Sequence, residues 1–210
     1  MPSLVKRCLI YLAGLFILSS GVVLMIKSNV GIAPWDALNV ALSERIGLTV
    51  GSWVFIVGGI LIFVNSIIRR RVPNLTGLIP ILIIGLFVDL LNLGLLSSME
   101  VQPLVLRWVL FVGGLSVLAL GIVIYLRASL PTVPNDELML AITERTGWGI
   151  HVTKTIGEIA AFILAVMWQG PVGLGTIIVV LCLGLFVGLF DQLLSKAGVP
   201  RSFTVRSMDE

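Results

Sequence analysis

The chain has 210 residues, 58% of them hydrophobic and only 12% charged, with a mean hydropathy of +1.11. A soluble domain carries about 45–50% apolar and about 25% charged residues, so composition excludes a soluble globular domain, a disordered chain and a nucleic-acid binder. The formal net charge of +3 fits Lys and Arg gathered in the cytoplasmic loops of a bacterial inner-membrane protein, and the unbroken apolar runs exclude an outer-membrane barrel.

Six stretches reach the roughly 20 apolar residues needed to cross a bilayer: 8–26, 51–68, 76–97, 107–126, 152–169 and 173–194. The first follows Lys6 and Arg7 and could pass for a signal peptide. It corresponds to an internal span in the repeat described below, which predicts a retained helix. Cys8 and Cys182 both fall in apolar runs and carry no disulfide or metal signal.

Between the first two spans lies Gly31-Ile-Ala-Pro-Trp-Asp-Ala-Leu-Asn-Val-Ala-Leu-Ser-Glu-Arg-Ile-Gly47. Pro34 suits a helix start, Gly47 a helix stop, and Arg45 the negative helix end. A helix from Pro34 to Arg45 is about 18 Å long, too short to span. It either lies flat at the interface, with Asp36 capping its start, or dips in as a re-entrant half-helix. Its recurrence beside a Gly/Pro break favours the dipping form.

The second span leads to Arg69-Arg70-Arg71, a topological anchor. The third carries Asp89, an ionisable group deep in a span and hence a site candidate. Lys154 and Glu158 in the fifth predict an i,i+4 ion pair. Asp191 ends the sixth at the interface, and His151 has no metal-ligand spacing around it. Gly184-Leu-Phe-Val-Gly188 predicts close helix packing within the bundle, with homo-oligomerisation the weaker use.

The second half repeats the first at an offset of 100 residues. Between 14–47 and 114–147, 12 of 34 positions are identical without a gap. They include Gly21/Gly121, Pro34/Pro134, Asp36/Asp136, Glu44/Glu144, Arg45/Arg145 and Gly47/Gly147. Gly85-Leu-Phe-Val88 is echoed by Gly184-Leu-Phe-Val187. Three spans per half invert the second copy relative to the first. The expected fold is an all-α membrane protein: six transmembrane helices as an inverted 3+3 repeat, with a short helix after the first span of each copy. Residues 1–100 form one repeat, 101–195 the other, and 196–210 a cytoplasmic polar tail. With the N-terminus inside, eleven of the fourteen Lys and Arg residues fall on the cytoplasmic side, which puts both termini there.

Gly31-Ile-Ala-Pro-Trp-Asp-Ala-Leu, Gly47-Leu-Thr-Val-Gly51 and the helix before Asn65 resemble the YczE/YyaS/YitT family of bacterial integral membrane proteins, most of all its YczE branch. The resemblance implies a multi-span inner-membrane protein and no particular substrate. The second copy departs from the first, with Asn135 for Trp35 and Glu137 for Ala37.

The leading functional expectation is a transporter or channel for a small polar solute or ion, with its site between the repeats. Asp36, Asp136, Pro34, Pro134, Trp35, Asn39 and Asp89 are the candidate binding residues, with Lys27 and Arg127 nearby in sequence. Glu44, Arg45, Gly47 and their copies Glu144, Arg145, Gly147 form the structural motif. The alternative is a non-transporting scaffold that recruits a partner through the polar tail. No nucleophile accompanies the aspartates and no cofactor or metal motif is present, so catalysis is not expected. The expected partners are the lipid bilayer and the solute.

Overall fold

The computed structural model describes residues 3–196. The polar tail after Lys196 lies outside the described residues, as does the side chain of His151. Eight α-helices and no strands occur among the described residues: α1 Leu4–Ser28, α2 Pro34–Ile46, α3 Val50–Arg69, α4 Leu78–Asp89, α5 Leu104–Arg127, α6 Pro134–Thr146, α7 Ile150–Met167 and α8 Leu174–Lys196. A 3₁₀ turn, Leu75–Gly77, leads into α4, which continues as a π-helical stretch, Leu90–Leu95. Five helical segments are long and apolar enough to cross a membrane: α1, α3, Leu75–Leu95, α5 and α8. The remaining expected span, 152–169, is also helical, as α7. Exposed Leu, Ile, Val and Phe along these helices make the surface that a lipid bilayer covers.

The chain folds into two compact units, each with helices from both sequence halves. The first holds α1, α5 and α8. Here α1 and α5 run antiparallel at backbone distance. A Cβ added at Gly14 would lie 2.5 Å from Tyr125 N, and one at Gly21 would lie 2.3 Å from Leu118 N. The same contacts recur with the copies exchanged: Gly114 meets Met25 and Gly121 meets Leu18. Glycine is required at these four positions because no side chain fits between the helices. Tyr11 and Tyr125 close the seam edge to face. The N-terminal Arg7 donates to Ala128 O and Ser129 O, satisfying carbonyls at the end of α5.

The second unit holds α2, α3, α4, α6 and α7. Each short helix packs on both long helices: α2 on α3 and α7, α6 on α7 and α3. The exchange follows the 100-residue offset. α4 packs antiparallel on α3, where Gly51 and Gly85 bring the backbones together. Thr49 caps α3 by accepting from Ser52 N at 3.1 Å. Gly47 and Gly147 end the short helices with positive φ, 98° and 73°, and return their N–H groups to Ser43 O and Thr143 O.

Two packing expectations are corrected. Nothing approaches a Cβ added at Gly184 or Gly188 among the described residues, so that motif is not used for close packing within the chain. α8 meets α5 elsewhere, at Gly175 against Phe111 and at Arg127 with Asp191. Among the described residues no ion pair closes between Lys154 and Glu158; both line a cavity shared with α6 and α2.

Candidate functional site

α2 and α6 both begin at a proline that follows an extended residue, Ala33 or Val133, whose side chain cannot cap the helix. The first turns of both helices converge on one small cavity in the second unit. Trp35 comes from α2, Asn135, Asp136 and Met139 from α6, and Thr153, Lys154, Gly157 and Glu158 from α7. Its volume is about 20 Å³, room for one water molecule or a small ion. Thr153 is fully buried and exchanges a 2.8 Å hydroxyl hydrogen bond with Thr143, which holds α7 against α6.

Asp36 follows Trp35 on α2. Burial pushes its carboxyl up to about 7, and the charge of nearby Glu158 adds to the push. Asp36, Asp136, Glu158 and Lys154 therefore interact as one electrostatic group. With all three carboxylates ionised, as they are above about pH 7, they oppose one ammonium and the positive ends of two helices, each worth about half a charge, and about one negative charge is left over. Among the described residues no three His, Cys, Asp or Glu side chains converge as a metal cage.

Of the residues expected at the site, Trp35 and Asp136 line the cavity, and Asp36 acts on it through Glu158. Pro34 and Pro134 are buried and set the helix starts. Asn39 is 5% exposed, and its Oδ1 has no hydrogen-bond partner among the described residues. Asp89 has a different task. It accepts from Thr49 Oγ1 at 2.5 Å and from Gly51 N at 2.8 Å, so its carboxylate completes the cap of α3. Arg127 lies in the other unit, tied to Asp191 at 2.5 Å and to Ser195. Asp191 is thus the partner of a buried guanidinium.

Sequence reasoning missed Lys154 and Glu158 as site residues. A signal existed: at the repeat offset the apolar α3 has Val54 and Gly58 in their places, and ionisable groups within a span are site candidates by default.

The motif residues at the far ends of the short helices also diverge. Glu144 lies 3.3 Å from Arg69 of α3, while Arg45 donates to Gln169 just past α7. Glu44 and Arg145 are exposed. Glu137, nine-tenths buried, lies 3.8 Å from Arg69 and accepts from Asn74 at 3.1 Å. Burial pushes its carboxyl up; Arg69 and Asn74 pull it down.

A family model described as a family of unknown function, DUF6198, matches residues 5–192. The chain belongs to that family. Among its relatives, the uncharacterized membrane protein YczE of Bacillus subtilis is 35% identical over 97% of this chain and 96% of its own length. The uncharacterized protein YyaS of the same organism is 35% identical, covering 89% and 92%. An uncharacterized protein of Haemophilus influenzae is 28% identical, covering 91% and 86%. The resemblance read from the Pro-Trp-Asp segment is therefore correct, and this DUF6198 protein is a multi-pass membrane protein with bacterial relatives. No solved structure matches the chain.

Proposed function

We propose that the protein is a small transporter or channel for a monovalent cation, a proton included, with its site at the cavity where α2, α6 and α7 meet. The observation that carries this reading is the convergence of two half-helix starts on a cavity containing Asp136, Glu158 and Lys154. Its size suits a bare ion rather than an organic solute. Its surplus of about one negative charge is neutralised by one monovalent cation or one proton. The lack of a three-ligand cage among the described residues favours a weakly held ion over a divalent metal.

In this reading α7 is the sixth crossing, both termini are cytoplasmic, and the halves form an inverted 3+3 bundle in the inner membrane. The run Ala37–Leu42 on α2 is buried at six successive positions, hence on every face of the helix. That supports a half-helix enclosed by protein over one lying flat on a surface. The cation would enter from one side, bind between Asp136 and Glu158, and leave on the other.

Purified protein in liposomes, loaded with a fluorescent sodium or potassium reporter or a pH reporter, tests the assignment. Asp136→Asn and Glu158→Gln each abolish flux while Asp89→Asn leaves the cation affinity unchanged. Parent-level flux in both site variants, or no cation flux by the parent protein, removes this reading.

A further inference from the structure

The first turn of α6 lies between two environments. Asp136 faces the cavity, and the next residue, Glu137, is turned about 100° around the helix toward the end of α3. There Arg69 bridges Glu137 and Glu144, Asn74 donates to Glu137, and Asn65 donates to Pro134 O at 2.9 Å. Arg69 is 17% exposed and Glu137 10%, so both charges are largely out of water and depend on each other. Among the described residues no ion pair holds the corresponding turn of α2. Its counterpart of Glu137 is Ala37, whose carbonyl would lie 2.6 Å from a Cβ added at Gly170. A backbone contact of that kind opens only by moving whole helices, whereas a guanidinium can exchange a carboxylate for water.

We propose that Arg69 is a positioning residue: its pairing with Glu137 and Glu144 latches the first turn of α6 and so sets Asp136 in the cavity. Of the two half-helices, α6 carries the releasable hold, and release of Arg69 frees the side of the cavity that bears Asp136. This rests on the cation reading above for its consequence, but the latch itself is a property of α6 and can be measured without any ligand.

Hydrogen exchange followed by mass spectrometry on the full chain in nanodiscs reads the latch directly. Arg69→Gln speeds amide exchange over residues 134–140 by about tenfold and leaves 34–40 unchanged, as expected for local opening of one element. Arg69→Lys, which keeps the charge but not the forked geometry, falls between. The exchanged pair Arg69→Glu with Glu137→Arg restores slow exchange. In liposomes Arg69→Gln raises the KM for cation flux more than it lowers kcat, a split that general loss of stability does not produce. Unchanged exchange at 134–140 overturns the latch, as does acceleration that the exchanged pair fails to reverse. Accelerated exchange with an unaltered KM overturns the link to Asp136. A parent protein that moves no cation removes the transport reading and leaves the exchange result to decide the latch.

Discussion

α2 and α6 share their skeleton and differ in how they are held. Both are 13 residues long, open on proline, carry aspartate in the first turn, and end on Glu-Arg-x-Gly. α2 buries Ala37 through Leu42 without a break, and Gly170 lets α7 approach its backbone. α6 buries only Pro134, Glu137, Leu138 and Ala141, one stripe at i, i+3, i+4 and i+7. Its polar contacts go to Arg69, Asn74 and Asn65 on one side and to Thr153 on the other. The long helices differ in the same sense, since α7 has Lys154 and Glu158 where α3 has Val54 and Gly58. The two short helices thus match in length and end motifs, while Glu137 of α6 and Lys154 and Glu158 of α7 have apolar counterparts in α2 and α3.

The sharpest test of that contrast places the residue of one copy in the other. Ala37→Glu puts a carboxylate at a fully buried position of α2. It costs about 3–5 kcal/mol, the usual penalty of an unpaired buried charge, and shows as loss of the monodisperse peak in detergent. A variant that stays folded with parent-like melting would mean that α2 is not enclosed.

Titration of Asp36 gives the next largest effect. Its carboxyl is raised to about 7, so it is neutral below that pH and charged above it. Cation affinity in liposomes therefore falls as pH drops through about 7, because protonation of Asp36 removes one negative charge from the group around the cavity. Asp36→Asn flattens that dependence, and a profile unchanged by this substitution would separate Asp36 from the site.

The smallest effect is at Glu144, about half exposed at 49%. Glu144→Ala shifts stability by less than about 1 kcal/mol, the range of exposed ion pairs, while Glu137→Ala costs more because it leaves Arg69 without its buried partner. Equal melting shifts in the two variants would mean that Arg69 draws on both carboxylates alike.

Much of this was legible in the residues. Hydropathy alone located the long helices, since a span needs an apolar run that nothing else in the sequence resembles. The paired Pro-x-Asp and Glu-Arg-x-Gly segments gave the two short helices within a residue of their observed ends, because proline and glycine act on local backbone geometry. Asp89 shows where such reading stops. Its depth in an apolar run marked it as a site residue, yet its oxygens serve Thr49 and Gly51, some forty positions earlier. Glu158 shows the converse error. Its i,i+4 spacing from Lys154 offered a local partner, and that masked a tertiary one.

By itself, then, the sequence determined the membrane class, the duplication, and the start and stop of each short helix, all set by interactions within a few residues or by composition. Tertiary structure alone decided which of the scarce charges meet. Arg127 joins Asp191, Arg69 joins Glu137 and Glu144, and Asp36, Asp136, Glu158 and Lys154 form one group. A buried charge must find a partner wherever the fold brings one, and spacing along one helix carries no record of partners on another.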